Sequence, residues 1–204
     1  MINERLRAAV AFLLLAAAGA GAVHWRVFEA ADHALLDAGF RLLRERHPQP
    51  VARDVVLVGV DENTFRELRE PFALWHPHLG RFLKAMAAAK PSVVGLDIVL
   101  PDKSYDFLIA GYDLPLLEGL AALRAGVPVV LAQSQDEHGS RRELYPPYLA
   151  LAGKDAVGSV AVCRDADLVV RRFDACGGSG AEATLAGRMA ARLGIEQGWS
   201  GYID

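Results

Sequence analysis

The sequence predicts an α/β fold in which a parallel-core sheet is flanked by helices, carries an added antiparallel hairpin and is preceded by one N-terminal transmembrane helix. Three observations support this prediction. An unbroken apolar run stands near the N-terminus, apolar segments rich in β-branched residues then alternate with segments of helical periodicity, and two short apolar segments flank the polar turn "RDAD". With 204 residues, of which 52% are hydrophobic, the chain is long enough for one domain and an appendage.

The N-terminal run "AAVAFLLLAAAGAGAV", Ala8 to Val23, is apolar enough for a membrane and lies at the short end of what spans one. Two hypotheses fit it: a retained signal anchor with Trp25 at the membrane interface, or an export signal cleaved among its small residues. We favour the anchor, because Arg5 and Arg7 place the preceding segment in the cytoplasm and a long helix follows directly. In both cases the remainder of the chain is exported.

The predicted organisation has a cytoplasmic N-terminus, a transmembrane anchor, a juxtamembrane amphipathic helix and an extracytoplasmic domain that we expect to be incomplete at its C-terminus. These parts cover residues 1–7, 8–25, 26–50 and 51–204, respectively. The juxtamembrane helix follows from apolar residues at helical spacing between His24 and His47, and Pro48 and Pro50 end it. Its apolar face could pack on the domain or against a second copy of the chain.

The domain should begin with a buried central strand, because "VVLVGV", Val55 to Val60, is continuously apolar and rich in β-branched residues. A helix opened by Pro77 then leads to a second apolar strand, Val93 to Leu100, which completes a right-handed βαβ unit. A further helix begins near Asp113 and Pro115, and "VPVVLA" supplies a third strand.

Beyond a polar loop, "AVGSVAVCRDADLVVRRF" has two short apolar segments around its turn and predicts the antiparallel hairpin. A glycine-rich segment, "CGGSG", precedes a last helix with Leu185, Met189 and Leu193 on one side and Gly194 at its end. Because it lacks a Gly-Lys-Ser/Thr ending, we interpret this segment as a connection and not as a phosphate-binding loop.

Composition and spacing argue against several functions. The net charge of −3, without basic clusters interleaved with aromatic residues, argues against nucleic-acid binding. The two cysteines, Cys163 and Cys176, lack CxxC spacing and form either a disulfide or two free thiols. His76 and His78 flank Pro77 without a third ligand at useful spacing, which favours a helix-entry turn over a metal site. We therefore predict no bound metal and no cofactor.

Two acidic residues stand at the ends of predicted strands, Asp61 in "VGVDEN" and Asp97 in "VGLDIV". If the strands are parallel neighbours, both carboxylates lie at the carboxyl edge of the sheet, where two acids could hold a cation or act as acid and base. The structural alternative is that Asp61 caps the turn "ENTF" and that Arg81 or Arg171 pairs with Asp97. We predict no catalytic residue, and the ligand-binding candidates are Asp61, Asn63, Thr64 and Asp97.

The order of these segments resembles the CHASE type-2 sensory domain from about Val55 to Gly194. The resemblance is carried by "VLVGVDENTF", "LWHPHLGRFLKAMAAAKPSVVGLDIVLPDKSYDFLIAG" and "VGSVAVCRDADLVVRRF". The most specific residues of the resemblance include Asp61, Thr64 and Asp97. The others, which we take as structural-motif residues, are Trp75, Pro77, Asp167 and Arg171. Two departures stand out: His76 and His78 surround a single Pro77, and Leu168 stands where the family has Gly after "D-x-D".

Such domains are extracytoplasmic input modules of bacterial adenylate and guanylate cyclases, histidine kinases and serine/threonine kinases. The resemblance therefore implies a sensory domain without catalysis of its own, anchored in the bilayer of the bacterial inner membrane with the domain on the periplasmic or extracellular side. It implies an unidentified small-molecule or periplasmic ligand, a cytoplasmic effector in the same polypeptide and, as a further expectation, a homodimer. The competing hypothesis is an exported α/β hydrolase or binding protein that uses Asp61 and Asp97 at a metal or ligand site.

Overall fold

The structure is a computed structural model, and it describes residues 4–24, 28–48, 50, 53–153, 155–172 and 183–195. The chain divides into two compact units, Met1–Gly59 and Val60–Asp204. The first unit contains two long helices, and the second is a mixed α/β domain.

The N-terminal apolar run forms helix α1, Glu4–His24. Within it, Arg5–Val23 has a mean hydropathy of 2.0 and is not buried, so by length and composition this helix is a candidate membrane span. A signal sequence has a similar length and composition. Both hypotheses for this segment, the retained anchor and the cleaved signal, are therefore compatible with the helix.

The predicted juxtamembrane helix is present as α2, Glu29–Arg46, while residues 25–27 lie outside the described part of the chain. Acidic side chains in its first turn and basic side chains in its last turn complement the helix dipole; they are Glu29, Asp32, Arg44 and Arg46. None of its residues is buried, and Leu35 is 75% exposed.

The prediction of a buried central strand at Val55 to Val60 is wrong. In the described part of the chain these residues belong to no strand, and their large side chains are exposed, from 44% for Val60 to 91% for Leu57. An apolar, β-branched run favours a pleated and buried position, but a strand also needs a neighbouring edge that completes its backbone hydrogen bonds. The residue pattern does not say whether such an edge is within reach.

The second unit is built on a three-stranded parallel sheet with the strand order β1-β2-β3. Its strands are β1, Val94–Leu96, β2, Val129–Gln133, and β3, Val157–Ser159. Gly95 lies opposite Val130, and Ala132 lies opposite Gly158. The central strand β2 is buried over four of its five residues, as a parallel strand covered on both faces requires. The predicted third strand is confirmed, and the second is present but shorter than predicted.

Five α-helices accompany the sheet in the described part of this unit. They are α3, Glu62–Glu67, α4, His76–Ala89, α5, Leu114–Arg124, α6, Pro146–Ala152, and α7, Leu185–Arg192, with a 3₁₀ turn at Phe72–Leu74 before α4. Proline occupies the first or second position of α4, α5 and α6, where its missing N–H costs no hydrogen bond. The predicted helix entries at Pro77 and Pro115 are thus confirmed. Gly194, with φ +71°, follows the end of α7 as predicted.

Helices α4 and α5 pack closely because glycine stands at their contact. A Cβ atom on Gly80 would lie 2.1 Å from the carbonyl oxygen of Pro115, and one on Gly119 would lie 2.7 Å from the carbonyl oxygen of Gly80. No larger residue fits at either position without moving a backbone. This close approach places the N-terminal ends of the two helices beside each other.

The hydrophobic core lies between the sheet and helices α4, α5 and α6. Its largest fully buried apolar side chains are Trp75, Tyr148, Leu83, Leu116, Leu120, Leu123 and Leu131. Burial of one such side chain stabilises the fold by roughly 1.5–3 kcal/mol relative to its exposure. The core therefore fixes the ends of α4 and α5, where the candidate site lies.

The described residues do not support the predicted antiparallel hairpin. Strand β3 pairs in parallel with β2, and residues 160–172 contain no strand. The guanidinium group of Arg171 instead donates to Oδ2 of Asp165 at 3.1 Å and to Oδ2 of Asp167 at 2.8 Å. Leu168 takes a left-handed conformation with φ +66°. These contacts hold a compact turn, and on either side of it the described residues form only single β-bridge positions, Val162 and Arg172.

Candidate functional site

A buried pair, His76 and Asp113, joins the N-terminal ends of α4 and α5. His76 is the first residue of α4, and Asp113 directly precedes α5. Nδ1 of His76 lies 2.8 Å from Oδ1 of Asp113, and the two residues are only 3% and 2% exposed. A carboxylate so far from water requires hydrogen-bond donors, and His76 supplies one of them.

The second carboxylate oxygen of Asp113 holds a loop. It accepts a hydrogen bond of 3.0 Å from the backbone N–H of Tyr105, while the N–H of Asp113 itself donates to Oδ1 of Asp106 at 2.9 Å. Asp106 in turn is fixed by a hydrogen bond from its N–H to Oγ of Ser104. The loop Tyr105–Asp113 is thus closed at its base by two hydrogen bonds, both of which depend on Asp113.

Aromatic rings surround the imidazole of His76. The ring of Tyr105 is stacked on it with centroids 5.3 Å apart and an interplanar angle of 6°, and the ring of Tyr112 is stacked at 4.9 Å. The ring of Tyr148 meets it edge-on at 6.3 Å. We call His76, Asp113 and these three tyrosines the histidine–tyrosine cluster.

Burial favours the neutral forms of three members of this cluster, His76, Tyr112 and Tyr148. Burial lowers the pKa of His76, and the hydrogen bond to Asp113 opposes that shift only in part. Burial also raises the pKa of Tyr148 and of Tyr112. A neutral His76 must carry its proton on Nδ1 in order to donate to Asp113. The hydroxyl of Tyr148 is buried and has no hydrogen-bond partner in the described part of the chain.

The geometry of the cluster suits a conformational role. Its members connect two helix ends and a loop, and its imidazole and carboxylate are closed off from solvent. Uptake of a proton by His76 would add a charge at a buried position, with Asp113 as its counter-charge. The arrangement therefore links the loop Tyr105–Asp113 to the protonation and packing of His76.

The predicted ligand residue Asp61 lies at the start of α3 and forms a capping box with Thr64. Oδ1 of Asp61 accepts hydrogen bonds from the N–H of Thr64 at 2.9 Å and from its hydroxyl at 2.8 Å. These bonds lower the pKa of Asp61. Asn63 accepts a hydrogen bond from Arg66 at 3.1 Å. The structural alternative for Asp61, a helix cap, is thus observed, and its ligand-binding role stays a prediction.

Asp97 directly follows the end of β1 and is exposed, whereas the longer predicted strand, Val93 to Leu100, would have contained it. The expected partners are wrong, because Arg81 contacts His78 at 2.7 Å and Arg171 contacts Asp165 and Asp167. An exposed carboxylate needs no partner, since water solvates it. No hydrogen bond within the described residues joins Asp97 to Asp61, and ligand binding by Asp97 stays a prediction.

Trp75 and Pro77 form the entry to α4. Trp75 is 2% exposed, and its indole N–H donates to the carbonyl of Glu70 at 3.0 Å. Its ring packs against Phe65 and Phe72, with centroids 5.1 Å and 4.9 Å away. Trp75 directly precedes His76 in the chain. Because its side chain is held by these contacts, it helps to position His76 and with it the histidine–tyrosine cluster.

Cys163 is disulfide-bonded, and Cys176 lies outside the described residues. Of the two alternatives for the cysteines, the free thiol is therefore excluded for Cys163. A structural disulfide persists in oxidising compartments, such as the bacterial periplasm or the extracellular space.

Sequence reasoning missed the pairing of His76 with Asp113, although both positions carried a signal. Each polar residue stands at a helix entry marked by proline, in "WHPHL" and in "YDLPLL". Two such entries become neighbours only when their helices pack closely. Gly80 in α4 and Gly119 in α5 are the small residues that permit this packing, and they could have indicated the contact.

Comparison with known proteins gives one family. The family model described as "CHASE2 domain" matches residues 8–198, which is nearly the whole chain. Neither a curated protein nor a solved structure matches the chain. CHASE2 domains are extracytoplasmic sensory domains. The chain therefore belongs to the CHASE2 family, as its resemblance in order and spacing predicted.

Proposed function

We propose that the chain is the membrane-anchored input part of a bacterial signalling receptor, which binds a stimulus outside the cytoplasm and relays it to a cytoplasmic effector in the same polypeptide. The observation that carries this proposal is a candidate membrane span, Arg5–Val23, at the front of the family match. A sensory domain fixed to a span in this way can act on the other side of the membrane through that helix.

Two features support the proposed orientation in the inner membrane. Arg5 and Arg7 stand on the N-terminal side of the apolar helix, and positive charge favours the cytoplasmic side. The disulfide at Cys163 favours an oxidising compartment for the second unit. Both features favour a sensory domain in the periplasm or outside the cell.

Helix α2 is the proposed mechanical link. It begins at Glu29, five residues after α1 ends, and it is helical over 18 residues. A stimulus can shift the equilibrium between two conformations of the receptor only by as much as its affinities for the two conformations differ. A helix that follows the span so closely transmits such a shift as a translation or rotation. We propose no catalytic role for the chain, and Asp61 and Asp97 remain candidates for ligand contact.

The proposed link is tested by the substitution Ala34→Pro in the full-length receptor, with effector output measured with and without stimulus. Proline in the interior of α2 removes a backbone hydrogen bond and kinks the helix. We expect the response to the stimulus to be lost while the protein remains in the membrane. The matched control is Ala30→Pro, because the first turn of a helix accepts proline. An unchanged response in Ala34→Pro would remove α2 from the signalling route.

A further inference from the structure

A cleft of about 300 Å³ opens where three helices of the second unit end beside the start of β2. Arg124 ends α5, Ala152 ends α6 and Arg192 ends α7, and all three line the cleft. Its walls also include Val127 and Pro128, which lead into β2. The cleft lies at the opposite end of the strand from Gln133, where β2 finishes.

The cleft combines positive charge with apolar walls. Val127, Pro128 and Leu151 contribute apolar surface, while Arg124 and Arg192 contribute two guanidinium groups. No acidic side chain is among those described residues that line it. The cleft therefore offers both cationic groups for a negative charge and apolar surface for the rest of the molecule that carries it.

The two arginines are held differently. Nη1 of Arg124 donates to the carbonyl of Ala150 at 2.6 Å, which fixes this guanidinium group at the junction of α5 and α6. Arg192 is exposed, and no hydrogen bond or ion pair engages it within the described part of the chain. One guanidinium group is therefore positioned in advance, and the other keeps all of its donors for a ligand.

A cation near the last turn of a helix also stabilises the helix dipole. That effect accounts for one arginine at the end of α5 and one at the end of α7. It does not require both to line one concave surface with an apolar wall between them. The shared cleft is the additional observation.

We propose that this cleft binds a small organic anion, a carboxylate on a short aliphatic body, with the carboxylate at Arg124 and Arg192 and the body against Val127, Pro128 and Leu151. Guanidinium groups bind carboxylates through paired, charge-assisted hydrogen bonds. The volume is at the lower end of the range for small-molecule sites, which limits the body to a few carbons. This inference rests on the proposed sensory function and assigns it a class of ligand.

The test measures binding to the full chain in lipid nanodiscs by isothermal titration calorimetry. The probes are hexanoate, hexan-1-ol, which lacks the charge, and inorganic phosphate, which lacks the body. We expect saturable binding of hexanoate and at least about tenfold weaker binding of the other two, a difference of roughly 1.4 kcal/mol or more. Hexan-1-ol loses the charge-assisted contact with the arginines, and phosphate loses the burial of an apolar body. Equal binding of phosphate and hexanoate would overturn the organic-anion assignment.

Variants then locate the site. Arg192→Gln should weaken hexanoate binding about tenfold, and Ala152→Leu should weaken it by filling the cleft without changing charge. The matched control is Arg81→Gln, because Arg81 is an exposed arginine of α4 outside the cleft. Thermal unfolding without ligand confirms that each variant is folded. Absence of saturable hexanoate binding, or equal weakening by Arg192→Gln and Arg81→Gln, would overturn the proposal.

A second measurement separates this inference from the proposed function. Effector output of the full-length receptor is measured independently of binding. A receptor that responds to its stimulus while hexanoate fails to bind leaves the sensory function standing and removes the cleft. Saturable binding in a chain that is released from the membrane retains the cleft and removes the sensory function.

Discussion

Nδ1 of His76 lies 2.8 Å from Oδ1 of Asp113, and this contact joins the first residue of one helix to the residue that precedes the next. Both residues are buried, and the same carboxylate accepts the N–H of Tyr105. The carboxylate of Asp113 therefore connects the packed ends of α4 and α5 to the loop Tyr105–Asp113.

Asp113→Ala should destabilise the second unit by roughly 2–4 kcal/mol, because it leaves the buried donor of His76 and the partly buried N–H of Tyr105 without an acceptor. Chemical denaturation of the full chain in detergent measures the free energy of unfolding. The control is Glu118→Ala on α5, which removes only an exposed ion pair with Lys84. That change should cost less than about 1 kcal/mol. Equal effects of the two substitutions would contradict the role of Asp113.

Stability should fall as the pH is lowered from about 7.5 to about 5. Burial lowers the pKa of His76 in the folded chain, so the unfolded chain takes up the proton more readily. The contribution of the neutral His76 ring to the free energy of unfolding is fully present above the ordinary histidine pKa of about 6.5. This contribution is lost as the pH drops below that value. His76→Asn keeps a donor for Asp113 but does not titrate, and it should flatten this part of the pH profile of the melting temperature.

His78→Asn is the control for that measurement, because His78 is only partly buried and contacts Arg81 on the surface of α4. This variant should keep the pH dependence of the native chain. If His76→Asn and the native chain lose stability in parallel over this pH range, His76 is not the titrating group.

Leu168→Gly should stabilise the chain by up to about 1 kcal/mol. Leu168 has φ +66° and is 73% exposed, so its side chain adds little burial while its Cβ disfavours the left-handed conformation. Thermal unfolding measures the gain. Leu168→Ala removes the same exposed side chain but keeps the Cβ, and it should give no such gain. A loss of stability in the glycine variant would show that the turn beside Arg171 does not require this conformation.

Gly119→Ala should destabilise the contact between α4 and α5, because the new Cβ would lie 2.7 Å from the carbonyl oxygen of Gly80. Overpacking of this kind costs typically about 1–3 kcal/mol. Gly126→Ala is the control, since a Cβ there meets nothing within 4 Å. The free energy of unfolding should change little in the control. Comparable losses in both variants would contradict a close helix contact at Gly119.

Local patterns predicted much of this fold. Proline at a helix entry marked the starts of α4 and α5, and the buried run "VPVVLA" indicated β2, because these signals depend on a few neighbouring residues. The run Val55 to Val60 misled the prediction, since its apolar pattern cannot supply the partner edge of a strand. The hairpin failed for a related reason. Arg171 finds Asp165 and Asp167 within its own turn, and those contacts compete with a ladder.

The candidate site was less predictable than the fold. For Asp61, the sequence offered a helix cap as one of two alternatives, and this cap is observed because Thr64 lies only three positions away. His76 and Asp113 are 37 positions apart, and their contact depends on the packing of two helices through glycine. Spacing rules for ligands and caps do not reach across such a distance.

The most direct test of the central claim is the location of the protein in its native cells. A tag at the N-terminus and an antibody against residues 54–172 would follow both ends of the anchor through cell fractionation, and protease would be added to intact spheroplasts. We expect a membrane-bound species that keeps its N-terminal tag and loses the antibody epitope to external protease. A soluble periplasmic species without the tag would show that α1 is a cleaved export signal, and it would contradict the membrane-anchored sensor.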